Sequence, residues 1–220
     1  MEDVEASLKK LFKTMPEVIY GFSNISFSEF KKHYKCALVF FIPHEKILTL
    51  DNYKEQLLED IIGQARNKVD LLIPELEKVL KEHSIKHYVP PVAQSSEETL
   101  LAPFSFKFAA VNAGLGWIGK NSLFITEKYG PRGRLGAVLI DYDFKTGNIV
   151  SDSLCKDNCN RCVAICPYKA LHGVKWNINK KRAELIDYKL CNQRRSLYIK
   201  DHGRKNSCGL CLVSCPYGVK

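Results

Sequence analysis

A chain of 220 residues, 45% hydrophobic and 26% charged, has the make-up of a soluble globular protein with room for one well-cored domain and a smaller appendage. No apolar run approaches the roughly 18 residues of a membrane span, and the opening "MEDVEASLKKLF" lacks the basic-then-apolar order of a secretory signal, so a cytoplasmic protein with no membrane partner is expected. The formal charge of +9 is uneven, since eleven Lys or Arg and only three acids fall between Lys169 and Lys205; such a stretch suits compensation of a bound anionic group, docking of an acidic redox partner, or contact with nucleic-acid phosphate.

In chain order, residues 1–14 predict a short amphipathic helix. "EVIYGF" and "CALVFFI" predict strands, the second continuous enough to be buried on both faces. Between Tyr53 and Lys81 the apolar residues Leu57, Leu58, Ile61, Ile62, Ala65, Val69, Leu72, Ile73, Leu76, Val79 and Leu80 recur at helical spacing, with a break or kink expected near Pro74. "KHYVPPVA" predicts a strand entering a proline turn, 96–113 a mostly helical segment, and "SLFIT" and "RLGAVLIDYD" two further strands. Strands and helices alternate without a strict βαβ rhythm, which points to an α+β fold. After "KTGNIVSD" the strand pattern stops, so the expected division is a cofactor and substrate domain over 1–150 and a cysteine-rich domain over 151–220.

The stretch "GLGWIGK" matches the G-x-G-x-x-G dinucleotide fingerprint letter for letter. That fingerprint requires a buried strand leading into the glycines and a helix leaving them. Here the upstream residues read as helix, and a Gly-Pro breaker follows a short β-type run downstream. The glycines therefore need another explanation.

Eight of the nine cysteines fall after position 150, in tight groups, a distribution that indicates metal binding in a reducing compartment. "CKDNCNRCVAICP" holds Cys155, Cys159, Cys162 and Cys166; "CGLCLVSCP" holds Cys208, Cys211 and Cys215; sixteen residues separate Cys191 from Cys208. In two-cluster ferredoxins the cysteine before the proline ligates the other cluster. By that logic Cys155, Cys159, Cys162 and Cys215 hold one 4Fe–4S cluster, and Cys191, Cys208, Cys211 and Cys166 the other. Structural zinc is the competing reading of paired C-x-x-C motifs, but two C-x-x-x-C-P endings and eight ligands favour iron–sulfur. Three residues separate Cys155 from Cys159 where the bacterial run has two, which bulges the loop. Cys36, heading an apolar strand, reads as a small buried hydrophobe.

With "AGLGWIGKNSLFIT" followed by the paired cysteine motifs, the sequence resembles epoxyqueuosine reductases and, behind them, reductive dehalogenases. The likeness runs from about Val18 to the end and is sharpest at Ala113 to Asn121 and at the eight cysteines. It implies a nitroreductase-like α+β domain followed by a ferredoxin-like domain. It also implies electron transfer through two 4Fe–4S clusters to cobalamin, for reduction of a small-molecule or modified-base substrate, with a donor such as ferredoxin or flavodoxin. On this resemblance Gly114, Gly116, Gly119, Lys120 and Asn121 form the cofactor-side loop. The family's acid, in a D-x-x-P-x-x-E-R pattern, falls here on Leu100, with Pro103 kept and Phe106 and Lys107 in place of Glu and Arg. No catalytic residue is thus assigned; Tyr129, Tyr142, Asp141 and Asp143 are the candidate proton donors. The Y-A-R-G-x-D-Y-H segment is also missing, and the resemblance implies a short, divergent member without the helical-repeat domain that helps the reductase hold tRNA. The alternative is an electron-transfer or corrinoid-handling protein without its own catalysis.

Overall fold

The computed structural model describes residues 3–92, 101–193 and 208–219. The chain divides into two compact units, each assembled from separated segments. The first comprises Met1–Pro43, Gln64–Leu115 and Gly133–Ile149; the second comprises His44–Gly63, Gly116–Arg132 and Val150–Lys220.

The first unit is built on an antiparallel sheet of β1 (Ile19–Asn24), β2 (Cys36–Pro43), β3 (His87–Tyr88) and β6 (Gly133–Ile140), in the order β1-β2-β6-β3. Every residue of β2 is buried, because it lies between two neighbours and is covered on both faces. That is what an uninterrupted apolar strand requires. Helix α1 (Val4–Lys13) sends Val4, Leu8 and Phe12, spaced four apart, into the same core. Phe12 stacks on Tyr20 with ring centroids 3.7 Å apart. Helix α2 (Glu55–Glu82) contributes Ala65, Val69, Leu72, Leu76 and Leu80 from its later turns. The valine and leucine side chains among these each gain about 1.5–3 kcal/mol from full burial. Contrary to the break expected at Pro74, α2 continues through it as one helix.

The helix expected over 96–113 is shorter among the described residues. α3 runs only from Phe106 to Asn112, with the Ser105 hydroxyl accepting from the Phe108 N–H at its start. Residues 101–105 are not helical: Pro103 biases its predecessor away from helical angles and Ser105 caps the turn. Positions 96–100, including Leu100, lie outside the described residues. An α+β architecture is what these elements form.

Among its described residues the second unit has little regular structure. β4 (Trp117–Ile118) pairs antiparallel with β5 (Phe124–Ile125), Trp117 opposite Ile125. Leu58, Ile61 and Ile62, from the first turns of α2, pack with Leu48, Leu212 and Val213 in one apolar cluster. The cysteine segments contain single-turn helices at Arg161–Ile165 and Leu210–Val213, with isolated bridges Asp152 to Asn177 and Leu171 to Ile186. A unit so poor in core and in ladders is of the kind that metal commonly staples. No helix among the described residues is long and apolar enough to cross a membrane.

Candidate cluster site

The stretch that mimics a dinucleotide fingerprint is a helix end followed by a hairpin. α3 precedes the glycines and the β4–β5 hairpin follows them, so no helix leaves them to cradle a phosphate. The glycines serve close approach of the chain to itself. A Cβ on Gly116 would stand 2.1 Å from the Ile125 carbonyl oxygen, and one on Gly119 2.3 Å from Ile125 Cδ1. In the first unit, Gly114 adopts φ +74° beside the Asn148 carbonyl, where an L side chain would be strained.

The two residues after Gly119 carry the hairpin into the cysteine loops. Lys120 is 4% exposed, and its ammonium donates to the carbonyl oxygens of Asp157 (2.9 Å) and Cys159 (3.1 Å) and to Asn160 Oδ1 (3.3 Å). Three acceptors match its three donors. Buried Asn121 donates through Nδ2 to the Cys211 carbonyl at 3.2 Å and accepts from the Leu123 N–H through Oδ1 at 3.1 Å. Consecutive side chains thus clamp the first and the second cysteine loop.

Arg132, which sequence reasoning did not single out, repeats the device from the end of the same segment. It is 2% exposed. Nε donates to the Leu48 carbonyl at 3.1 Å, Nη1 to that of Tyr217 at 2.6 Å, and Nη2 to those of Val213 at 3.1 Å and Cys215 at 2.9 Å. Burial lowers its pKa, and the Cys215 sulfur opposes that shift. No spacing rule marks such a residue, because its partners are backbone carbonyls distant in sequence.

Cys155, Cys159, Cys162 and Cys215 rim one space that is partly open to solvent, together with Lys120 and Tyr217. Burial pushes the Cys162 thiol up to about 11, and the Cys155 and Cys159 sulfurs push the same way. Burial likewise raises Cys215 to about 11, against a backbone hydrogen bond from Tyr217 and the nearby Arg132 charge, with Cys155 and Cys162 adding to the rise. Around the second set, burial raises the Cys211 thiol well above its ordinary value, followed by the sulfurs of Cys208, Cys191, Cys162 and Cys166. Cys162, Cys166, Cys191 and Cys211 meet in one apolar cluster with Ala170, Leu171 and Ile186. The Ala170 N–H lies 3.3 Å from Cys166 Sγ. Among the described residues no three His, Cys, Asp or Glu side chains converge tightly enough for a single metal ion; the first set instead surrounds a space.

The residue added between Cys155 and Cys159 is absorbed locally. The Cys159 N–H bonds back to the Lys156 carbonyl at 3.1 Å, closing a turn whose inner carbonyls face Lys120. Cys155 thereby keeps its place on the rim. Nearby, Trp117 is 3% exposed and packs with Ile125 and Cys215, edge-on to Tyr217 at 5.0 Å. Its buried indole N–H has no hydrogen-bond partner among the described residues.

Asp143 forms an exposed ion pair with Lys35 at 2.7 Å, Tyr142 is exposed at the end of β6, Asp141 follows β6 directly, and Tyr129 lies in the Thr126–Gly130 turn of the other unit. Cys36 is buried in the first unit, its thiol donating to the Tyr142 carbonyl at 3.3 Å, and burial pushes it up to about 11.

No protein-family model matches the chain. The epoxyqueuosine reductase of Listeria monocytogenes is 38% identical over 111 residues, 49% of this chain and 28% of that protein. The crystal structure of an epoxyqueuosine reductase with an epoxyqueuosine-modified tRNA stem loop superposes with a TM-score of 0.60 at 15% identity, covering 98% of this chain and 66% of that one. A reductive dehalogenase, whose structure suggests a mechanism for B12-dependent dehalogenation, superposes with a TM-score of 0.69 at 15% identity, over 98% of this chain and 32% of that one. The chain thus spans less than two thirds of the length of these relatives. It is similar in sequence to epoxyqueuosine reductases over about half its length and carries, over nearly all of it, the fold they share with reductive dehalogenases.

Proposed function

We propose that this chain is an iron–sulfur reductase that binds two 4Fe–4S clusters and delivers electrons to a corrinoid-type cofactor, for reduction of a small-molecule or modified-base substrate. On this reading residues 1–150 form a nitroreductase-like part and 151–220 a ferredoxin-like part. The observation that carries it is the common rim of Cys155, Cys159 and Cys162 with Cys215, from the far end of the chain. The buried cations Lys120 and Arg132 stand beside these cysteines without a carboxylate partner among the described residues. A cation taken out of water is costly unless an anion compensates it, and a thiolate-ligated cluster is such an anion. The orphaned Trp117 N–H in the same region fits the same group.

Bound clusters supply one-electron transfer. The chain supplies the thiolates, and because burial holds Cys162, Cys211 and Cys215 protonated when unligated, ligation must release protons. The N–H groups of Val163, Ala170 and Tyr217 lie against the sulfurs of Cys162, Cys166 and Cys215 and stabilise their charge. A relative solved with a modified tRNA stem loop and another discussed as B12-dependent support the substrate and cofactor classes. The basic stretch from Lys169 suits an acidic donor such as ferredoxin or flavodoxin, with nucleic acid as its competitor.

A second reading, an electron carrier or corrinoid-handling protein without its own catalysis, is favoured by leucine at position 100, where the resemblance places the acid. Titrating cluster-loaded protein with cobalamin under anaerobic conditions separates the two. The reductase reading expects a saturable change in the corrinoid spectrum and its reduction when the clusters are reduced. Intact clusters with no corrinoid response select the carrier.

A further inference from the structure

We infer that the buried Lys120 charge raises the reduction potential of the cluster held by Cys155, Cys159, Cys162 and Cys215. The inference rests on the cluster reading above and adds the role of a residue to it.

Lys120 lines the space that the four cysteines rim. At 4% exposure its charge is shielded little by solvent, and all three of its hydrogen bonds go to uncharged acceptors: the carbonyls of Asp157 and Cys159 and the side-chain amide of Asn160. The carboxylate of Asp157, which feels the Lys120 charge, is exposed and held by Lys175 at 3.0 Å. The backbone carbonyls fix the ammonium without neutralising it. Reduction adds one electron, supplied by an external one-electron reductant, to a cluster that already carries net negative charge, and no proton or bond moves with it. A fixed buried cation stabilises the more negative state and raises the potential, which cluster charge and surroundings are known to set.

A structural brace would also be held in this way, so the test must read potential rather than activity. Midpoint potentials of both clusters are measured by dithionite titration followed by paramagnetic resonance, in wild-type protein, Lys120→Met and Lys120→Arg. The signal belonging to the first set is identified by its loss in Cys215→Ala. The expected result is a shift of that signal alone to lower potential in Lys120→Met, reversed toward wild type in Lys120→Arg. An unchanged midpoint, or an equal shift of both signals, overturns the inference. If Lys120→Met fails to assemble the cluster, Lys120→Gln answers in its place: it keeps an N–H donor toward the carbonyls of Asp157 and Cys159 while removing the charge. A lowered midpoint for the same signal supports the inference, and an unchanged one overturns it. Should wild-type protein carry zinc and no sulfide, it is the cluster reading that fails, and the two failures are distinguishable.

Discussion

Lys120 donates its ammonium to the carbonyl of Cys159 at 3.1 Å, which joins the hairpin after α3 to the first cysteine loop. Asn121 makes the matching contact with Cys211 in the second loop. The "GKN" of the glycine motif is therefore a joint between two cysteine groups that lie about fifty residues apart in sequence, within the unit that contains them all.

Cluster sharing makes the first prediction. Because Cys215 shares a rim with Cys155, Cys159 and Cys162, Cys215→Ala is expected to abolish the resonance of the first set and spare the other. Cys166→Ala, whose sulfur lies near Cys211, is expected to do the reverse. If each substitution affects only the cluster of its own sequence motif, the crossover is wrong.

Removing Arg132 should unfold more than it disconnects. Its guanidinium satisfies four carbonyls, from Leu48, Val213, Cys215 and Tyr217. Arg132→Met would leave these acceptors buried and unpaired, each at about 1–3 kcal/mol. Denaturant unfolding of the metal-free protein should show a loss on the order of 3 kcal/mol or more. A loss below about 1 kcal/mol would mean that water reaches these carbonyls readily.

Gly116 separates packing from ligand approach. A Cβ there would stand 2.1 Å from the Ile125 carbonyl oxygen, which is backbone and cannot swing aside. Gly116→Ala should therefore cost about 1–3 kcal/mol and lower the melting temperature equally with and without corrinoid. Unchanged stability combined with lost corrinoid affinity would assign the glycine to a ligand instead.

Alkaline pH should weaken the metal-free fold. Cys36, Cys162 and Cys215 are pushed to about 11 from an ordinary value of 9.0, in each case chiefly by burial. Below 9 both the folded and unfolded chains hold these protons, and the stability is fully present. Between about 9 and 11 the unfolded chain gives them up first, so stability falls as pH rises. Urea unfolding at pH 8 and at pH 10.5 should give the lower midpoint at pH 10.5; equal midpoints would show that these thiols ionise as easily folded as unfolded.

Local pattern was enough for β2, whose "CALVFFI" run is buried throughout, and for α1 and the later turns of α2, whose apolar residues enter one core. It was also enough to reject the dinucleotide reading of "GLGWIGK" from its flanks. It failed at 101–105, where Pro103 and Ser105 delay the helix, and at Pro74, where the packing of Leu72 and Leu76 on either side holds α2 through a residue that usually breaks one. β4 was invisible because two residues of strand carry no period. The cysteine spacing pointed to Cys155, Cys159, Cys162 and Cys215, which line one space, while Cys166, Cys191 and Cys211 share an apolar cluster with Cys162. Lys120, Asn121 and Arg132 act through backbone carbonyls far along the chain, and a sequence records no such partner.

The most direct measurement is the iron, acid-labile sulfide and zinc content of protein purified and reconstituted without oxygen. Two cubanes require about eight iron and eight sulfide per chain, with broad visible absorption that bleaches on reduction. Stoichiometric zinc with no sulfide would contradict the account.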